Sequence, residues 1–417
     1  MPRSDDQTLK SQEKSHPTLE KILKLAEIKQ ALNFLKADNA ATAKEQIQVT
    51  ELAAPPFKEQ MRADWMAEQF RTLGLADVTI DAEGNVLGEL RGEREAPKVV
   101  LSAHLDTVFP AETSIHAKIK DGVIYAPGIS DDGRGLASML TIIRAIRHGA
   151  IKPLHSLLFV ATVGEEGLGD LRGVKALFKS RQDIGAFISI EPGNAALLTC
   201  HAVGSHRYRV CFKGPGGHSF AAFGLPSAIH AMGRAIAAVS DLEVPASPRT
   251  TFTIGKVSGG TSINTIAEDA EMLLDLRSES GQALLELENE ALKQIQAAVE
   301  AENRRWGKAQ KIQVIFTQIG DRPAGTQSSE QPIVQLASAA ASSQGLKPSL
   351  KSSSTDSNVP ISLGIPAVTM SGGGISGKEH TLEEFFDPKE SWLGPQSILL
   401  TVLALTGVAG KTPSALF

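Results

Sequence analysis

The sequence predicts an α/β protein whose main domain carries a largely parallel sheet, interrupted by a smaller α+β domain of ferredoxin-like order. Three observations carry this prediction. Short apolar runs suited to buried strands alternate with stretches of helical periodicity. Acidic or imidazole side chains follow the end of each principal run, where parallel sheets place their sites. After about Gly204 the rhythm changes to β-α-β-β-α-β, and near Gly320 it changes back.

In chain order, residues 1–17 are polar and read as a disordered tail. From Thr18 to about Asp38, Leu19, Ile22, Leu23, Ile28, Leu32 and Leu35 recur at helical spacing and predict one amphipathic helix. A second helix is expected from Lys58 to Leu73, between the Pro55-Pro56 punctuation and Gly74. Strands follow near Val78–Ile80 and Val86–Leu90, then the central run Val99–Ala103. A helix with Leu136, Met139, Leu140, Ile143 and Ile146 on one face comes after Ser130–Gly135. His155–Val163 and Gly185–Ile190 are the next buried strands.

Beyond Gly204, strands are expected at Arg207–Lys213, Thr251–Val257, Ala267–Arg277 and Lys311–Phe316, with helices at Ser227–Val239 and Gln282–Glu300. These define an inserted domain at 205–318, within a main domain formed by 18–204 and 319–417. The main domain resumes with a helix at Pro332–Gln344, a strand at Ala367–Met370, and a last helix at Ser397–Val408. No internal repeat is found.

Composition bounds the function. The 417 residues allow two or three domains, and 42% apolar with 21% charged residues is ordinary for a globular chain. A formal net charge of −5 without a basic arm gives no reason to expect nucleic acid or an anionic membrane as partner. There is no apolar run of about 18 residues. The polar first residues lack a secretory pattern, so the expected location is the cytosol. Cys200 and Cys211 form no C-x-x-C pair and read as reduced structural thiols.

The side chains after the strands are His104, Asp106, Asp131, Asp132, Glu165, Glu166, Glu191 and, near the C-terminus, His380. Alternation puts His104 and Asp106 on one side, where a carboxylate can orient a metal-bound imidazole; taken alone, the pair also fits a capped loop. Imidazole and carboxylate ligands without thiolates suit Zn²⁺, with Mn²⁺ and Co²⁺ at similar geometry. Two metals roughly 3.5–4 Å apart need a bridging carboxylate, and this set supplies one with an acid to spare. In Glu165-Glu166, one acid would bind metal and the other would take a proton from water. A solvated loop carboxylate is the alternative for either.

The motifs HLDTVFP, GISDDGRG, TVGEEG, SIEPG, GPGGHS and GKEHTLEE resemble those of the dinuclear zinc peptidases and deacylases. That group includes glutamate carboxypeptidase, acetylornithine deacetylase, succinyl-diaminopimelate desuccinylase, aminoacylase and peptidase T. The resemblance runs from about Thr50 to the C-terminus. It implies that His104, Glu191, Glu166 and His380 hold two Zn²⁺ ions per chain and that Asp131 bridges them, joined to Asp132 by a peptide often cis in the family. It implies Asp106 as the orienter of His104 and Glu165 as the general base. In the inserted domain, a lid and dimerisation domain in such enzymes, His218 resembles a histidine that reaches a neighbouring subunit's site to help hold the oxyanion. Asn264 resembles a substrate-contacting asparagine, and Arg277 an arginine that grips a substrate carboxylate. A local hydrogen bond for His218 and an exposed strand-end charge for Arg277 are the plain alternatives.

Two details bear on substrate. Lys378 and Glu379, before His380, stand where many relatives have smaller or uncharged residues, and they could shape the pocket. Glu191, rather than Asp, resembles the carboxypeptidases and deacylases of the family, although the motif wording has something of peptidase T. Gly372–Gly374 would let backbone approach substrate, and Asp356 and Asn358 are candidates for support of the site. The remaining histidines lack a spaced partner.

The expectation is therefore a hydrolase of short peptides or N-acyl amino acids, dimeric through the inserted domain. The alternatives are an aminopeptidase on di- or tripeptides and a non-catalytic dimeric scaffold. A two-metal phosphoesterase lacks the clustered Arg or Lys that phosphate requires.

Overall fold

The computed structural model describes residues 16–417. The tail predicted over residues 1–17 lies outside the described residues up to position 15. Pro17 already opens a helix, a correction to that boundary: it sits at the first helical position, where its missing N–H costs nothing.

The chain divides into two compact units. One ends at His201 and resumes at Gln327–Phe417, and the other is Ala202–Thr326. The first is built on a mixed sheet in the order Ala76–Ile80, Val86–Leu90, His155–Thr162, Arg94–His104, Ile184–Glu191, Ala367–Ser371, Leu197–Ala202. The four strands from His155–Thr162 to Ala367–Ser371 are parallel. They are almost wholly buried, which is why they read as continuous apolar runs. The helices Gly133–His148 and Leu393–Thr406 pack against this sheet, and nearly every side chain of either is buried.

Periodicity erred where polar residues do the packing. The single helix expected over Thr18–Asp38 is two, Pro17–Lys24 and Ala26–Ala37, separated by Leu25 in an extended conformation. A third, Asn39–Thr50, follows and had no apolar stripe to announce it. It buries Thr42, Gln46 and Thr50, with Gln46 donating to the Ile129 carbonyl at 2.7 Å. A four-stranded sheet of Ile375–Gly377, Phe385–Asp387, Val123–Tyr125 and Lys118–Lys120 was also not anticipated, because three-residue strands carry too few positions to show a period.

The second unit is an antiparallel sheet in the order Thr250–Gly259, Asp269–Ser278, Gly204–Lys213, Gln313–Arg322, with helices Ala228–Ser240 and Gly281–Trp306 packed on it. Its elements follow the β-α-β-β-α-β order. Val210, Phe212, Met272, Leu274 and Leu276 face the helices, and the intervening residues of Asp269–Ser278 are partly exposed. No helix among the described residues is long and apolar enough to cross a membrane.

Candidate metal centre

The central strand Arg94–His104 pairs in register with His155–Thr162, so that His104 lies opposite Thr162. Glu165 and Glu166 follow three and four residues later, and Glu191 ends the neighbouring strand on the other side. Three sequence-distant segments thus reach one rim for a purely topological reason. Parallel strands in register end together. Asp131 reaches the same rim from the turn that precedes the helix Gly133–His148, whose first turn is capped by Asp132 accepting from Gly135 N–H at 2.8 Å. The Asp131–Asp132 peptide is cis.

Asp131 is the hub. Its Oδ1 lies 2.9 Å from His104 Nε2 and its Oδ2 3.1 Å from His380 Nε2. Glu191 Oε2 approaches the His104 ring at 3.9 Å, and Glu166 Oε1 meets His380 Nε2 at 2.9 Å. Each imidazole therefore has its own carboxylate and shares Asp131 with the other. Ligand atoms of His104, Asp131 and Glu166 lie within 4.8 Å of one another.

His104 Nδ1 lies 3.0 Å from the backbone carbonyl of Asp106 and 3.6 Å from its carboxylate. The closer partner of the ring is thus the Asp106 carbonyl. The carboxylate accepts instead from the backbone N–H groups of Glu165 at 2.9 Å and Glu166 at 2.8 Å. Asp132 Oδ2 accepts the His104 backbone N–H at 3.1 Å.

Six carboxyl groups crowd two imidazoles here, and the electrostatics show it. Burial and the nearby negative charges of Glu165, Asp132 and Asp131 push Glu191 well above the carboxylate range, and burial does the same to Asp132. Burial would also raise Asp131, but hydrogen bonds from His104 and His380 outweigh it and hold the group well below its ordinary value. His104 is raised despite its burial, by Asp106 and Asp131. His380, bonded to Asp131 and Glu166, is pushed up to about 10.

These residues fit a divalent cation. Glu191 Oε1 is buried without a hydrogen-bond partner, a cost that coordination would remove. An all-nitrogen and oxygen donor set suits Zn²⁺, Co²⁺ or Mn²⁺.

Several expectations about neighbouring residues change. Lys378 pairs with Glu383, and Glu379 accepts from Ser376 Oγ at 2.8 Å, so both loop charges are engaged within their own loop. A side chain at Gly372 would meet Arg134 Cγ at 2.8 Å, and one at Gly374 the Phe386 ring at 2.5 Å, so both are crowded by this chain's own atoms. Asp356 accepts from Thr162 Oγ1 at 2.5 Å, and Asn358 Oδ1 from Thr355 N–H at 3.0 Å.

In the second unit, His218 and Asn264 belong to one exposed corner. Gly217–His218 pairs with Thr265–Ile266, and Ser219 N–H donates to the Asn264 carbonyl at 2.9 Å. His218 Nδ1 accepts the backbone N–H groups of Phe220 and Ala221 at 3.3 and 3.4 Å. Arg277 Nε donates to Asp275 Oδ2 at 2.7 Å.

Sequence reasoning assigned no role to three buried residues. Glu384 lies within the GKEHTLEE motif, four positions after His380, and is fully buried. Arg134, in GISDDGRG, donates to the Gly372 and Ser391 carbonyls, each at 2.7 Å. Arg62 donates to the carbonyls of Leu105 and Leu52 at 2.7 Å and of Thr50 at 3.2 Å. Each sits among other charged and polar residues, as in Lys58–Asp64, Ser130–Gly135 and His380–Glu384, so nothing local in the sequence marks it as buried.

Comparison with known proteins gives an independent line. A sequence profile of peptidase family M20/M25/M40 matches residues 100–404. An uncharacterised Bacillus subtilis protein, YqjE, is 26% identical over 71% of this chain and 78% of its own length. A probable carboxypeptidase of Arthroderma otae is 29% identical over 46% of this chain and 45% of its own. Among solved structures, a tripeptidase from Staphylococcus aureus superposes with a TM-score of 0.73 at 24% identity, covering 87% of this chain and 97% of that one.

Proposed function

Because the chain belongs to peptidase family M20/M25/M40, we propose that it hydrolyses the amide bond of short peptides or N-acyl amino acids with two divalent metal ions, zinc foremost. The observation that carries this reading is the Asp131 carboxylate offering one oxygen to each of His104 and His380. His104 and Glu191 would hold one ion, His380 and Glu166 the other, and Asp131 both. The ions would supply Lewis-acid activation of water and of the scissile carbonyl.

The chain's own residues would do the rest. Glu165 would take the proton from the attacking water and return it to the leaving amine. Its place is held from behind, since its backbone N–H is tied to the Asp106 carboxylate. His218 would help hold the oxyanion, reaching the site of a second subunit through a dimer formed by the second unit. Arg277 would bind the carboxylate of the released amino acid. Its Nε is engaged by Asp275, an arrangement that leaves the two terminal nitrogens at the end of the fork for a bidentate partner. Asn264 would contact substrate beside His218.

A cleavage from the carboxyl side or of an N-acyl group draws support from the probable carboxypeptidase relative and from Glu191 standing where aminopeptidases of the family carry Asp. Metal analysis of the purified protein, followed by a screen of N-acyl amino acids against free dipeptides, tests it. About two metals per chain with N-acyl or C-terminal cleavage is the expected result. Cleavage of free-amine peptides alone would replace this reading with an aminopeptidase, and no metal with no turnover would leave a scaffold.

A further inference from the structure

Glu384 is a fully buried carboxylate on which four donors from one short turn converge. Oε2 accepts the backbone N–H of Gly128 at 2.8 Å. Oε1 accepts the N–H of Ser130 at 2.8 Å, the Ser130 hydroxyl at 2.7 Å, and the N–H of Asp131 at 3.0 Å. The turn is shaped for this. Gly128 has φ +76, and a Cβ there would lie 2.9 Å from Thr107 Cγ2. Successive N–H groups turned to one side make an anion-binding concavity.

The backbone around Glu384 completes the tie. Its carbonyl accepts Ala126 N–H at 3.2 Å, and the residues that follow pair as a strand, Phe385 with Tyr125 and Phe386 with Ile124. The His380 loop and the Asp131 turn, about 250 residues apart in sequence, are thus joined through the Glu384 side chain as well as through the backbone beside it. His380 otherwise sits in a loop where Lys378 and His380 itself both have positive φ, 59° and 63°. Such backbone holds its shape only when the surroundings impose it.

We propose that Glu384 is a positioning residue that fixes the His380 loop against the Asp131 turn and thereby assembles the His380 half of the metal centre. This rests on the two-metal reading above. The cradle offers donors only, so an amide in place of the carboxylate must point its NH₂ at a backbone N–H. Glu384→Gln, nearly the same size, is therefore a disruptive change.

The experiment is calorimetric titration of the full-length, metal-free protein with Zn²⁺, alongside Glu384→Gln and Ser130→Ala. Wild type is expected to take up two equivalents. In Glu384→Gln the equivalent that uses His380 weakens roughly 10–100-fold, while the other stays within about threefold. Ser130→Ala, which removes a single bond, weakens the same equivalent by about tenfold or less and decides the matter if Glu384→Gln does not fold. Two equivalents bound with wild-type affinity by Ser130→Ala and by any folded Glu384→Gln protein would overturn the proposal and leave the two-metal reading standing. Equal weakening of both equivalents with a lowered melting temperature would also overturn it, as the mark of a general packing role. A wild-type chain that binds no Zn²⁺ would instead overturn the two-metal reading, and this proposal with it.

Discussion

The carboxylate of Asp106 accepts the backbone N–H of Glu165 at 2.9 Å, while the Asp106 carbonyl lies 3.0 Å from His104 Nδ1. One residue therefore holds both the proposed base and a proposed ligand. Asp106→Asn keeps the size but must aim an NH₂ group at one of the two N–H donors of Glu165 and Glu166. Metal affinity is expected to fall roughly 10–100-fold and kcat to fall with it, measured by metal titration and initial rates.

Glu165→Ala should separate base from ligand. The proposed ligands His104, Asp131, Glu166, Glu191 and His380 are left intact, so metal content is expected to stay near that of wild type. kcat is expected to drop by about 10²–10⁴. Loss of metal instead would mean that Glu165 and Glu166 have exchanged roles.

Metal uptake should release protons. In the metal-free protein His380 is pushed up to about 10 by its bonds to Asp131 and Glu166, so it carries a proton at neutral pH. The folded value lies above the ordinary 6.5, so the proton's contribution to metal-free stability is complete below pH 6.5 and is lost as pH rises through about 10. His380 would have to give up that proton to hold a metal, and the apparent affinity should rise about tenfold per pH unit for each proton released. Calorimetry at one pH in two buffers of different ionisation enthalpy counts the protons, and a count of zero would refute the assignment.

Arg277→Ala should raise KM by about tenfold or more for substrates with a free carboxylate and leave kcat nearly unchanged. Amidated analogues should show no difference between variant and wild type. An equal effect on both substrate types would remove the proposed role.

Arg62 supports the loop that carries Asp106. It is fully buried, its pKa lowered by burial to about 10, and it donates to the Thr50, Leu52 and Leu105 carbonyls. Arg62→Met removes the donor from three carbonyls, of which those of Thr50 and Leu105 are buried. A loss of about 3 kcal/mol or more is expected, read as a lowered midpoint in thermal unfolding, and an unchanged midpoint would contradict it.

Much of this was legible in the chain itself. The parallel strands announced themselves because burial on both faces makes them continuous apolar runs, as in Val99–Ala103 and His155–Val163. The residues gathered at the strand ends were legible as well, since a buried strand that stops at an acid or a histidine is conspicuous. The helix Asn39–Thr50 was not. Its buried face is made of Thr42, Gln46, Val49 and Thr50, whose polar groups find partners that only the folded chain supplies.

By itself the sequence determined the four parallel strands of the main sheet, though not its strand Leu197–Ala202, the order of elements in the second unit and the acidic and imidazole residues that follow the strands, because local periodicity and strand termini are properties of neighbouring residues. Tertiary structure alone decided how those residues are held. Glu384 could be seen as an acid after His380, but not as the acceptor for a turn about 250 positions earlier. Arg134 could be seen after Asp132, but not as the side chain that fills the space beside Gly372. Which donor meets which acceptor across such distances depends on where the packed core places the backbone, and no short-range pattern carries that information.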